Sequence, residues 1–263
     1  MMSKKKVLVD IDNRGVGTIT LNYPEKHNVF DDGVISELTS ALTGLAARPE
    51  LRVLILAAAG KTFCAGGDVS WMKRMARYTY EENLKDAEIL ATMLKTLNFF
   101  PRPTIARVQG AAFGGAVGLV SCCDMAVAAP EASFALSEVK IGIVPAAISP
   151  YVIGAIGQRA ARRYFATGEQ FSAATAAALG LISEVVSLER LDEKIGDFVK
   201  MLSANSPAAV ATAKQLVFNV ASRELNDELI QYTREEIARI RVSEEGQEGL
   251  NAYLEKRIPA WRL

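Results

Sequence analysis

Histidine is nearly absent: His27 is the single one in 263 residues. That excludes multi-histidine metal sites and leaves any histidine-based nucleophilic triad dependent on one residue. Cysteine is scarce too. Cys64, Cys122 and Cys123 form no CxxC pair, and an odd count with two adjacent residues is no disulfide scaffold. The pattern fits a reducing compartment. Net charge is missing, because Lys+Arg and Asp+Glu are both 30, so wholesale nucleic-acid binding is not expected. Long apolar runs are also lacking. Residues 108–123 carry no charge but fall short of the roughly 20 residues a membrane span needs, and Pro145, Pro150 and several glycines break residues 141–158. Both read as buried segments. The basic start MMSKKK meets acidic residues before any apolar leader develops, so a cytoplasmic protein without a membrane partner is expected. No repeat of fixed period and no low-complexity linker stands out.

What is present is ample core material, with half the residues hydrophobic. Residues 7–12 and 16–22 alternate around Asn13-Arg14-Gly15 and predict a hairpin. Residues 31–47 place Val34, Ile35, Leu38, Ala41, Leu42 and Leu45 at helical spacing, with Asp31 or Asp32 as the cap. Residues 51–59 and 103–110 suit buried strands, and residues 81–99 suit a helix. A further helix should follow Gly114-Gly115, and a strand should cover 125–129. The alternation predicts an α/β core over residues 1–190. From 191 to 263 the stretches 191–204, 207–222 and 225–255 are helix-forming, giving a helical C-terminal region. Trp261 in the terminal KRIPAWRL can pack on a neighbouring subunit or on its own chain.

Several stretches invite chemistry. Gly60-Lys61-Thr62 is not a phosphate loop, because Ile55 stands where the motif requires glycine. Cys64-Ala65-Gly66-Gly67-Asp68 joins a strand to a helix. Its amides can face an oxyanion, or it is a tight turn capped by Asp68. Gln109 to Ala116 repeats the theme at Gly114-Gly115. Two such loops in one domain can supply the paired N–H groups of an oxyanion hole. Glu138 is the acid nearest a long uncharged region. Burial would raise its pKa and suit acid/base work; otherwise it pairs with Lys140 or lies on an exposed turn. His27 reads as a surface residue, the cysteines as apolar packing, Asp124 as a structural hydrogen-bonding group, and Lys4–Lys6 and Lys73-Arg74 as solvated charge.

Taken in order, Leu21 to Asn28, Phe63 to Asp68, Gly110 to Asp124, Phe134 to Pro145 and Tyr253 to Arg257 resemble the enoyl-CoA hydratase/isomerase (crotonase) superfamily over nearly the whole chain. The resemblance implies a crotonase (ClpP/crotonase-like) ββα spiral core followed by a helical trimerisation region, assembled as a homotrimer or homohexamer. It implies an acyl-CoA thioester as substrate, with no separate cofactor and no metal. The oxyanion-hole amides map to Gly67 and Gly115. Lys26, Ala65, Gly66, Asp68, Gly114 and Gly118 map near the CoA ester, and Tyr253 and Lys256 map to positions that contact CoA from a neighbouring subunit. Glu138 maps to a catalytic glutamate. Where ordinary hydratases carry a second one, this sequence has Gly118, twenty residues before Glu138. Members with one glutamate include Δ3,Δ2-enoyl-CoA isomerases. The stretches around Gly118 and Glu138 are also similar to bacterial hydratases of branched glutaconyl-CoA esters, 3-methylglutaconyl-CoA and carboxygeranoyl-CoA among them, which belong to leucine and acyclic-terpene breakdown. The expectation is therefore a hydratase of a branched, in some cases carboxylated, enoyl-CoA. The alternatives are an isomerase on the same scaffold and a weakly catalytic CoA-ester or RNA-binding relative.

Overall fold

The computed structural model describes residues 5–262. The expected solvation of Lys4 lies outside them. Strands β1 (Val7–Ile11) and β2 (Val16–Leu21) form the antiparallel hairpin, with Gly15 at φ 77° in its turn. That value is open to glycine at little steric cost. Helix α1 (Asp32–Ala46) follows, and Asp31 is its cap, its carboxylate accepting the Val34 N–H at 2.9 Å. Then come β3 (Val53–Ala58), α2 (Val69–Met75), α3 (Tyr80–Asn98), β4 (Thr104–Val108), β5 (Ala112–Phe113), α4 (Gly115–Cys122), β6 (Met125–Ala128) and β7 (Ser133–Ala135). The chain continues through α5 (Ser149–Thr167), β8 (Gln170–Ser172), α6 (Ala173–Leu179), β9 (Glu184–Val185), α7 (Leu191–Ser203), α8 (Pro207–Val220), α9 (Asp227–Arg241) and α10 (Glu244–Leu254).

One sheet runs β1-β2-β3-β4-β6-β9, parallel after the first hairpin. Interior strands β3 and β6 are apolar on both faces, as parallel strands covered on two sides are, while β4 carries Arg107, which pairs with Asp192 of α7. In β3, Leu54, Leu56 and Ala58 enter the main core with α1 and α3, while Val53 and Ile55 face the cluster that Leu191, Ile195 and Val199 of α7 complete. Helix α7 is therefore packed on the sheet. Beyond it the burial thins, and α8 to α10 bury only Leu229 and Ala252. Trp261 settles on its own chain: Nε1 donates to Ala204 O at 3.3 Å and the ring lies against Gly249. Lys214 of α8 ties that helix to the core, donating to Asp124 Oδ2 at 2.7 Å and to Arg102 O at 3.1 Å. Asp124 also accepts the Thr104 N–H at 2.8 Å, the structural role expected of it.

Two expectations need correction. Residues 141–158 are not uniformly buried. Gly142 takes φ 81°, the chain swings outward, and Ile141, Ile143 and Val144 are exposed. Helix α5 begins within the same stretch despite Pro150, because a proline in the first turn costs no intrahelical bond, and Gly157, at φ 75°, kinks it into two helical segments. Lys6 and Arg74 are not simply solvated either, since Lys6 donates to Asp31 at 2.8 Å and Arg74 donates to Asp32.

A second, smaller sheet runs β5-β7-β8. Isolated parallel bridges extend it from Ala112 to Cys64 and from Gly67 to Phe30. This layer brings the two glycine turns together.

Candidate active site

The first turn is built from both sides. Phe30 N–H donates to Gly66 O at 3.0 Å, and Asp68 N–H donates to Phe30 O at 2.9 Å. With Phe30 bonded to the residues flanking Gly67, the Gly67 N–H points to the other side of this bridge. Gly66 holds φ 95° and its Cα lies near Phe113 O. Asp68 caps α2, accepting the N–H groups of Ser70 at 2.7 Å and Trp71 at 3.3 Å. Burial works against its charge, but those two bonds and the Lys26 ammonium hold its carboxyl below the usual range. Behind the turn, Trp71 and Met72 of α2 pack on Gly67. Trp71 Nε1 donates to Asp86 at 3.0 Å, which fixes α2 to α3.

The loop entering this turn is held by two buried amides that sequence reasoning missed as site residues. Asn28 Nδ2 donates to the carbonyls of Ala59 and Thr62, both at 2.8 Å. Gln109 Nε2 donates to those of Ala58 and Gly60, at 2.9 and 3.0 Å. The advance signals were Asn28's place in a recognisable motif and Gln109's place at the start of the second glycine-rich stretch.

The second turn follows β5. Gly114 N–H donates to Ala135 O at 2.8 Å, and Gly114 takes φ 56° as the N-cap of α4. A Cβ on Gly115 would sit 2.4 Å from Phe30 Cζ, so the ring of Phe30 closes over this glycine. Phe30, the other residue the sequence did not single out, thus touches both turns. Among the described residues, neither the Gly67 N–H nor the Gly115 N–H donates to an acceptor.

Glu138 opens a 3-10 turn (Glu138–Ile141) after β7. A Cβ on Gly114 would stand 3.3 Å from Glu138 Oε1, which places the carboxyl beside the second turn. Its Oε2 is buried without a hydrogen-bond partner. Lys140 does not pair with it, and no charged neighbour shifts it. Burial alone pushes the carboxyl above the ordinary glutamate range. A carboxyl whose pKa burial raises is suited to proton transfer in both directions.

The other predicted positions fall as follows. Lys26 is exposed, with Nζ 3.6 Å from Asp68 and over the ring of Tyr23. The Ala65 N–H donates to His27 O at 3.0 Å, and His27 is exposed. Gly118 is buried, and Ile148 Cγ2 would lie 2.3 Å from a Cβ there, so any side chain at this position would meet hydrocarbon. Tyr253 is 84% exposed and Lys256 is exposed, both at the end of α10, which packs on α8 and α9. Within this chain they are not packed on the glycine turns. A separate cleft of about 650 Å³ lies between the hairpin turn and α8. Its charges are spent on internal bonds, Arg52 to the carbonyls of Ser203 and Asn205 and Glu245 to Ser206 and Ala208. Among the described residues no cluster of metal-ligating side chains occurs, and no helix is long and apolar enough to cross a membrane.

The family model described as enoyl-CoA hydratase/isomerase matches residues 12–263. An enoyl-CoA hydratase structure from Shewanella pealeana is 46% identical with a TM-score of 0.95, covering 98% of this chain and 96% of that one. A Legionella pneumophila structure described as an enoyl-CoA hydratase/isomerase (crotonase) is 44% identical with a TM-score of 0.93, covering 98% and 100%. A Mycobacterium tuberculosis protein assigned as enoyl-CoA hydratase echA8 is 35% identical over 259 residues, 98% of each chain. The α/β architecture with its C-terminal helices is that of the crotonase structures.

Proposed function

The chain belongs to the enoyl-CoA hydratase/isomerase family, whose hydratases are hydro-lyases, and on that footing we propose that it adds water across the 2,3 double bond of a branched enoyl-CoA, with or without a distal carboxylate. One observation carries this: the Glu138 carboxyl lies against Gly114, next to the unengaged N–H of Gly115, with its second oxygen buried and unpartnered.

In the proposed reaction the thioester carbonyl oxygen takes the N–H groups of Gly67 and Gly115. Attack of water at C3 moves the double-bond electrons toward that oxygen, where an enolate forms. Two fixed donors stabilise the enolate more than the ground-state carbonyl, and one such donor is typically worth roughly 2.7–4 kcal/mol of barrier. One oxygen of protonated Glu138 gives its proton to C2, and the other accepts a proton from the attacking water. The carboxyl ends as it began, so a single acid closes the cycle. Ala65, Gly66 and Gly114 would line the path of the ester. Lys26, near Asp68, would face the CoA moiety, and Tyr253 and Lys256 would reach a neighbour's CoA in a homotrimer or hexamer. Residues 1–190 would carry the site and 191–263 the assembly.

A second reading has its own support. With Ile148 filling the space at Gly118, one carboxyl remains, and one carboxyl suffices to carry a proton between C2 and C4 in a Δ3,Δ2-isomerase. A panel including crotonyl-CoA, 3-methylglutaconyl-CoA and a 3-enoyl-CoA, run in isotopically labelled water with mass spectrometry, separates the two. Solvent oxygen in a 3-hydroxyacyl product supports hydration. Double-bond migration without oxygen uptake on every ester would overturn it.

A further inference from the structure

The wall beside the acid is set by a second pair of residues. Helix α4 carries Gly114 at its N-cap and Gly118 one turn later. Gly114 is not itself helical, with φ 56°, so the two glycines bracket the first turn of α4 rather than lying on one helical face. Over Gly114 stands Glu138 Oε1. Over Gly118 stands Ile148, which would lie 2.3 Å (Cγ2) and 2.8 Å (Cβ) from a Cβ there, with Leu94 Cδ2 at 3.4 Å. Ile148 is 2% exposed and caps α5 at the end of the same connection that begins with Glu138. The acid and the isoleucine therefore pack at the two ends of the first turn of α4. The pair is reciprocal in size, because Gly118 lacks a side chain where Ile148 fills the room.

We propose that Ile148, seated on Gly118, sets how bulky an acyl group can stand beside Glu138. The proposal rests on the acyl-CoA reading of the site. A group reacting at C2 and C3 next to Glu138 must place its C3 substituents within a few ångströms of the carboxyl, and Ile148 is the hydrocarbon one helical turn away. A β-branched side chain is stiff at χ1, so this wall yields little. Replacing isoleucine by alanine removes three carbons and enlarges the room at C3 beyond what the wild type gives its branched ester.

The test compares Ile148→Ala and Ile148→Val with the wild type, using two saturated thioesters that cannot be hydrated, butyryl-CoA and 3-methylbutyryl-CoA. Calorimetry gives both Kd values on one preparation, and their ratio is independent of the folded fraction. The ratio should move toward the branched ester by about tenfold in Ile148→Ala, and by less in the same direction in Ile148→Val. Should Ile148→Ala fail to fold, the valine variant decides. Variants that bind both esters with the wild-type ratio overturn the role of Ile148 alone. A wild type that binds neither ester overturns the acyl-CoA reading and this proposal with it.

Discussion

The ring of Phe30 lies on Gly115 so closely that a Cβ there would sit 2.4 Å from Cζ, while the Phe30 backbone brackets Gly67 through bonds of 3.0 and 2.9 Å to Gly66 and Asp68. One side chain and its own peptide groups thus tie the two glycine turns into one unit. Neither turn can shift without disturbing Phe30.

Gly115→Ala should be overpacked against Phe30. The expected cost is about 1–3 kcal/mol of stability, measured by chemical denaturation. Gly115→Ala combined with Phe30→Leu should recover part of that loss. A double variant that merely adds the two single losses would show that the ring and the glycine are not coupled.

The raised pKa of Glu138 has a consequence for stability. Folding favours the protonated carboxyl, so between its unfolded and folded pKa values the native state binds more protons than the unfolded state. Stability then falls as pH rises through that window. Glu138→Gln removes the charge that burial penalises. Its melting temperature relative to wild type should therefore be more favourable at pH 8 than at pH 5. An equal difference at both pH values would contradict this account.

The Asp124–Lys214 pair joins α8 to the sheet, with the Lys214 side chain only 8% exposed. Lys214→Met should cost about 1.5–3 kcal/mol, the range for a hydrogen bond to a charged group. Asp124→Ala should cost more, because it also strips the Thr104 N–H and hydroxyl of their acceptor. Equilibrium unfolding of both variants checks the order, and a reversed order would refute it.

The thiol of Cys64, which is fully buried, is pushed up to about 12 by burial. Cys64 in the folded protein at pH 8 should react with iodoacetamide far more slowly than in the unfolded chain. Fast labelling of Cys64 in the native state would contradict its burial.

Much of the site was legible because its parts are local. Gly66-Gly67-Asp68 and Gly114-Gly115 read as strand-to-helix junctions, and a helix does start after each, with Asp68 as a cap. The five buried positions of α1 follow from their spacing. Glu138 was balanced between an acid in a dry pocket and a partner of Lys140, because the choice depends on what packs around it. Residues that work through long-range approach were not legible. Phe30 is 85 residues from Gly115, and Ile148 is 30 from Gly118. Helix α5 was hidden by Pro150 and Gly157, which read as breakers but sit in its first turn and at a kink.

The claim that Glu138 alone supplies and removes the proton is tested most directly by single-turnover hydration with Glu138→Gln beside the wild type, on whichever enoyl-CoA the wild type hydrates best. The account predicts an unchanged Kd for the saturated CoA ester and a hydration rate at least about 10²-fold lower. A variant that hydrates at the wild-type rate would contradict it.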